Sequence, residues 1–152
     1  MKFFYTTLSL VLLLAFSVNA QYYELPQSGP DVEEYVGNPA NMGKSLMYVF
    51  YDNSACNTCA EAMGMIYNLY QQNYTNQFNL YEINYSEDNA FNFRIQYNLT
   101  QPLSIVLVKI ENGKAVAYYK IDNPQYWVGD AFIFNQRVTN QINNFINSQN
   151  II

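Results

Sequence analysis

The chain has 152 residues, of which 50% are hydrophobic and 12% are charged, a length and composition typical of one globular domain with a sizeable core. Its formal net charge of −5 argues against duplex DNA, RNA and anionic lipid surfaces as partners, because neutralising phosphates requires clustered Lys and Arg. The absence of histidine excludes Ser-His-Asp and Cys-His catalysis and zinc sites built on imidazole. The strongest nucleophiles that remain are the two cysteines, Cys56 and Cys59.

Residues 1–20 have the pattern of a secretory signal peptide. Lys2 precedes an uncharged, Leu-rich run that closes on Val18-Asn19-Ala20, and the small residues at Val18 and Ala20 fit a signal peptidase site. The apolar run is shorter than the roughly 20 residues of a membrane span, and no second such run follows. We expect an exported protein, periplasmic or secreted, with no stable membrane span after cleavage. The alternative is an uncleaved N-terminal anchor.

Residues 21–44 are predicted to form an extended lead-in. Three of the five prolines and three of the six glycines fall between residues 26 and 43, which interrupts any helical or strand period. A single domain is then predicted over residues 45–149.

The first half of that domain has the pattern strand, helix, strand. An aromatic and β-branched run over residues 46–51 ends at Asp52-Asn53-Ser54, as a buried strand that runs into a turn should. Apolar residues at helical spacing predict a helix over residues 60–70. Alternation predicts a second strand over residues 78–83, although Glu82 falls on the face shared with the apolar Phe78 and Leu80.

The second half is predicted to contain a short helix, a β-hairpin and a last helix. A capping serine and early acidic residues favour a helix over residues 86–97. Residues 103–110 are apolar at nearly every position, as expected for a central strand covered on both faces. Asn112-Gly113 favours a type I′ turn into a strand over residues 115–121.

The last helix is predicted near residues 134–147, with an apolar stripe over Phe134, Val138, Ile142 and Phe145 or Ile146. The order β-α-β-α-β-β-α predicts an α/β fold, a three-layer sandwich around a four-stranded mixed sheet.

Cys56-Asn57-Thr58-Cys59 is a CxxC pair at the predicted start of the first helix. A zinc site would need a second pair of soft ligands, which the chain lacks. An inert structural disulfide would close a small loop and constrain the unfolded chain little. A redox-active pair fits the location, because unpaired N–H groups and the helix dipole favour a thiolate there.

At this point the chain resembles the thioredoxin family over residues 45–149. In that family a proline with a cis peptide bond begins the third core strand opposite the cysteines. Pro102, which follows Cys59 by 43 residues and precedes an apolar strand, matches that position. The resemblance implies a cis Gln101-Pro102 bond beside Cys56, with the backbone of Gln101 docking an incoming peptide strand.

The sequence departs from the thioredoxin pattern near the cysteines. Asn57-Thr58 replaces the familiar Gly-Pro, Ala55 replaces an aromatic residue, and Phe50 stands where a buried acid would be. The strand, polar turn and Cys-x-Thr-Cys pattern over residues 48–59 is also similar to small exported bacterial proteins of a nitrophenyl-compound nitroreductase subunit family. Nitro reduction normally needs a flavin or metal, and the chain has no phosphate-cradling Gly loop or ligand set, so we expect no cofactor and no metal.

The sequence therefore predicts an exported thiol-disulfide oxidoreductase. Cys56 is expected to be the nucleophile at the helix cap, and Cys59, placed a turn inside and more buried, is expected to resolve the mixed disulfide. The expected partners are protein thiols or disulfides and a redox donor or acceptor protein. Two alternatives stay open: a non-catalytic binding module with the same fold, and a copper-handling protein that adds Met63 or Met65 to the thiolates.

Overall fold

A computed structural model describes residues 43–52, 54–84 and 95–148 of the chain. The predicted signal peptide, nearly all of the lead-in and most of the predicted helix at 86–97 lie outside the described residues. Among the residues described, no helix is both long enough and apolar enough to cross a membrane.

The described chain is an α/β structure with four strands and two α-helices. Every predicted element that lies within the described ranges is confirmed, with its ends shifted by at most three residues, and a 3-10 helix lies between the last strand and the last helix, where no element is predicted. The elements are β1 (Ser45–Tyr51), α1 (Cys59–Asn73), β2 (Phe78–Asn84), β3 (Leu103–Glu111), β4 (Lys114–Asp122), the 3-10 helix (Pro124–Trp127) and α2 (Ala131–Ser148).

The four strands form one mixed sheet in the order β2-β1-β3-β4. β1 is parallel to β2 and antiparallel to β3, and β3 is antiparallel to β4, so the predicted central position of the strand from Leu103 is confirmed. Tyr51 at the end of β1 pairs with Leu103 at the start of β3, and Ser104 pairs with Asp122 at the end of β4. We call this end of the sheet the Tyr51 end.

The β3–β4 hairpin turns at the predicted dipeptide. Asn112 and Gly113 have φ angles of 51° and 72°, the left-handed conformations that a type I′ turn requires at both central positions. Asn and Gly adopt these angles at low cost, which explains why this pair of residues specifies the turn.

Apolar clusters cover both faces of the sheet, as the alternation of side chains along a strand requires. One cluster lies between the sheet and the two helices; we call it the helix-side cluster, and it contains Val49, Cys59, Leu103, Ile105, Phe134 and Phe145. The other face carries an aromatic-rich cluster with Tyr48, Phe50, Tyr97 and Tyr118, whose ring centroids lie 5.1–6.0 Å apart in the contacts that join them. The central strands β1 and β3 are therefore buried on both faces.

The stripe predicted on the last helix is the buried face of α2. Phe134, Val138, Ile142 and Phe145 are all buried in the helix-side cluster. The helix begins three residues earlier than predicted because Asp130 caps it: its Oδ1 accepts hydrogen bonds from the backbone N–H of Phe132 at 2.9 Å and of Ile133 at 3.1 Å.

Replacing the capping residue of α2 should lower stability without changing the fold. We expect Asp130→Ala to reduce the free energy of unfolding by about 1 kcal/mol, because two N–H groups lose their acceptor. Asp130→Asn keeps a capping oxygen and should cost much less, so it is the matched control. Urea unfolding followed by circular dichroism measures both, and equal losses for the two variants would contradict the capping role.

Candidate functional site

Cys56 and Cys59 form a disulfide at the Tyr51 end of the sheet, with 2.04 Å between the sulfurs and 5.4 Å between the Cα atoms. Cys59 is the first residue of α1 and its exposure is 0%, whereas Cys56 lies before the helix and is only partly buried. The predicted order of burial is confirmed. An incoming thiolate can therefore approach the sulfur of Cys56 more readily than that of Cys59.

The helix begins differently from the prediction. Thr58 occupies the N-cap position, and its carbonyl oxygen accepts the first helical hydrogen bond, from the N–H of Ala62 at 3.1 Å. Cys56 thus precedes the cap by two residues, and Cys59 lies in the first turn rather than a turn inside. The Thr58 side chain makes no capping hydrogen bond, so the first N–H groups of α1 have no acceptor from the cap residue. Glu61 adds a negative charge to this first turn.

The loop before the cysteines is shaped by Asp52. Its Oδ1 accepts hydrogen bonds from the N–H of Ser54 at 2.9 Å and from the Ser54 hydroxyl at 2.5 Å, and its carbonyl oxygen accepts the N–H of Ala55 at 3.2 Å. This is the local turn that an aspartate favours. In the sequence, Asp52 follows the predicted strand directly. A serine two residues after this aspartate is the signal that its side chain can fix such a turn.

Pro102 lies directly beside the buried cysteine. Its carbonyl oxygen accepts the N–H of Asp52 at 2.9 Å and stands 3.8 Å from the sulfur of Cys59. The loop that carries the cysteines is thereby joined to the start of β3. The prediction that Pro102 lies near the pair is confirmed, although the contact given by the structure is with Cys59 rather than Cys56.

The predicted cis bond at Pro102 is wrong. No peptide bond among the described residues is cis, and the Gln101–Pro102 bond is therefore trans. Trans is the favoured form of an X-Pro bond unless the fold selects cis, and here the trans chain already delivers the Pro102 carbonyl to Asp52. The cis bond was the reason for expecting substrate docking at Gln101, and a docking role for Gln101 and Pro102 stays a prediction without that support.

The surroundings of the two sulfurs differ. Cys59 is fully buried, and the Pro102 carbonyl oxygen stands 3.8 Å from its sulfur, where it can accept a hydrogen bond from the S–H that reduction would form. Cys56 has the Thr58 hydroxyl 4.0 Å from its sulfur and lies nearer to solvent. The pair is thus built with an accessible sulfur and a protected one.

Among the described residues, no three His, Cys, Asp or Glu side chains lie close enough to hold a metal ion. Met63 and Met65, the methionines of the copper alternative, are half-buried against the helix-side cluster, which gives both a packing role.

No family model and no curated protein matches this chain. One solved structure, described as "Structure of a malarial protein", is similar to it with 11% sequence identity and a TM-score of 0.42, over 53% of this chain and 81% of that one. A similarity at this level carries no argument about fold or function.

The two cysteines should differ in reactivity once the disulfide is reduced. We expect iodoacetamide to modify Cys56 first and Cys59 only slowly, because Cys59 is fully buried. Peptide mass spectrometry of a time course measures both rates. In urea that unfolds the chain the rates should converge. Faster labelling of Cys59 in the native protein would contradict this assignment of the sulfurs.

Proposed function

We propose that the chain is an exported, thioredoxin-like thiol-disulfide oxidoreductase that exchanges disulfides with protein substrates. The observation that carries the proposal is the disulfide between a partly exposed Cys56 and a fully buried Cys59 at the start of α1. A purely structural bridge over so short a loop would stabilise the fold little, and it would not need one sulfur near solvent.

The exchange proceeds in two steps. A substrate thiolate attacks the sulfur of Cys56, the Cys56–Cys59 bond breaks, and the electron pair leaves on Cys59, which then takes a proton. A second substrate thiolate attacks the mixed disulfide and releases Cys56 as a thiolate. The substrate dithiol is oxidised to a disulfide and the protein pair is reduced. The same steps in reverse reduce a substrate disulfide, with Cys56 as the nucleophile.

The local charges favour this division of roles. The N–H groups of the first turn of α1 and the positive end of its dipole stabilise a thiolate at the start of the helix. Glu61 in the same turn opposes that effect, so we expect a modest rather than an extreme stabilisation of the Cys56 thiolate. The Pro102 carbonyl oxygen lies 3.8 Å from the sulfur of Cys59, which has to lose its proton before it attacks the mixed disulfide and resolves it.

The fold supports the thioredoxin-like class. A four-stranded mixed sheet, with a CxxC pair between β1 and the first helix and a proline at the start of β3, is compatible with that family. Export is proposed from the signal peptide pattern of residues 1–20. A disulfide resting state suits an oxidising compartment.

Trapping of a mixed disulfide tests the proposed roles. Cys59→Ser should accumulate a covalent adduct with a peptide disulfide, because no thiol remains to resolve the bond to Cys56. Cys56→Ser is the matched control and should trap little, since its remaining thiol is buried. Non-reducing electrophoresis and mass spectrometry measure the adducts. Trapping by Cys56→Ser alone would reverse the roles, and a native pair that exchanges with no thiol or disulfide would refute the proposal.

Export has its own test. Expression of the full chain with a C-terminal tag should yield a protein that begins at Gln21, since Ala20 ends the proposed cleavage site. N-terminal peptide mass spectrometry of the exported fraction measures this. Retention of residues 1–20 in a membrane fraction would support the uncleaved anchor instead.

A second candidate function is suggested by two exposed aromatic side chains. Tyr126 in the 3-10 helix and Phe132 in the first turn of α2 are 75% and 72% exposed. Exposed aromatic residues are typical of protein contact surfaces, which favours the binding module as the alternative. Replacing both cysteines with serine distinguishes the two functions, because a binding module would keep its biological activity.

A further inference from the structure

A groove lies beside the disulfide, between α1 and the sheet, with a volume of about 460 Å³. The residue that follows the buried cysteine, Ala60, is at one end of its helical wall, and Tyr67 is two turns further along, about 10 Å away. The opposite wall is formed by the ends of β1 and β2. The lining residues are Tyr51, Ala60, Met63, Gly64, Tyr67 and Glu82.

The position of Glu82 in the groove follows from strand register. Glu82 pairs with Val49, and the side chain of Val49 belongs to the helix-side cluster. Since paired residues of neighbouring strands point to the same face of a sheet, Glu82 also faces α1. Most core-facing positions of the strands are apolar, so a carboxylate at this one gives the groove a negative charge.

No described cation neutralises that carboxylate. The ion pairs within the described ranges join Lys109 to Glu111 and Lys120 to Asp122, and Glu82 belongs to neither. Lys44 donates to the carbonyl of Thr75, before the first strand begins and therefore away from the Tyr51 end.

The other described cations form no ion pair with Glu82 either. The guanidinium of Arg137 stacks over the Trp127 ring, with 5.3 Å to the centroid, and Lys114 follows the hairpin turn at the far end of β3. Glu82 is exposed to solvent and forms no ion pair within the described residues, so its carboxylate is accessible to an external cation.

The aromatic walls suit the same ligand. Tyr67 is 48% exposed, and Tyr51 packs on the helix-side cluster while it contributes to the groove. A carboxylate beside tyrosine rings binds an ammonium or guanidinium group through ion pairing and cation–π attraction. An anionic side chain would be repelled by the carboxylate, and a purely apolar side chain would gain neither interaction.

We propose that this groove is a specificity subsite that binds a Lys or Arg side chain of the protein substrate, close in sequence to the cysteine that exchanges with Cys56. The inference rests on the proposed function and names its substrate class. Ala60 follows Cys59 directly in sequence and lines the groove, so the subsite is expected to take a side chain close in sequence to the exchanging cysteine, where each extended residue spans about 3.4 Å. The net charge of −5 attracts such basic segments.

Peptide exchange kinetics test the subsite. We would measure kcat/KM of the native protein with three peptide disulfides that differ only in Lys, Gln or Glu two residues from the cysteine. At low salt we expect the Lys peptide to react about fivefold faster than the Gln peptide, and the Glu peptide more slowly still. The preference should fall toward unity at high salt, because partly exposed charges are screened.

Three variants test whether the preference arises in the groove. Glu82→Gln should reduce the Lys over Gln ratio to about two or less, since only the aromatic contribution remains. Glu61→Gln removes the same charge from α1 outside the groove and should keep most of the ratio. Gly64→Ala places a methyl group in the groove, with no neighbouring atom within 4 Å to clash with it, and should lower the ratio while it favours the helix.

The outcomes separate the subsite from the exchange activity. Exchange with dithiothreitol but no Lys preference would overturn the subsite and leave the proposed function standing. An equal loss of preference in Glu61→Gln and Glu82→Gln would also overturn it, because the overall negative field would then be the cause. Failure to exchange with dithiothreitol and with every peptide would overturn the proposed function itself, and the subsite with it.

Discussion

The pairing of Tyr51 with Leu103 is the constraint on which the site depends. It aligns the end of β1 with the start of β3, so the residues that follow β1 and those that precede β3 meet at one end of the sheet. The hydrogen bond from the Asp52 N–H to the Pro102 carbonyl extends that pairing by one step beyond the strands. The segment after β1 and the segment before β3 thus lie together beside the buried sulfur of Cys59. The position of β3 in the interior of the sheet fixes this arrangement.

Much of this arrangement could be predicted because its determinants are local. The apolar run from Leu103, the Asn112-Gly113 turn and the stripe from Phe134 to Phe145 each specify an element through a short period or a dipeptide. The apolar stripe alone predicts a start of α2 that is three residues too late. The residue that marks the true start is the capping residue, Asp130.

The site was predictable in part. CxxC spacing at the start of a helix was enough to expect a buried second sulfur, whereas the state of the Gln101–Pro102 bond depends on what the Pro102 carbonyl contacts across the fold. The groove is also non-local, since it needs α1, β1 and β2 together. The sequence signal for the groove is Glu82, which places a carboxylate on the otherwise apolar face of an alternating strand.

Under the proposed exchange, the Asp52 turn determines what a redox partner would have to recognise. The loop is held by hydrogen bonds from Ser54 and Ala55 and by the Pro102 carbonyl, as well as by the disulfide. Breaking the S–S bond removes only one of these restraints, so we expect the backbone around Cys56 to keep its shape. A redox partner would then have to recognise the oxidation state from the sulfur atoms themselves, at a surface that is otherwise the same in both forms.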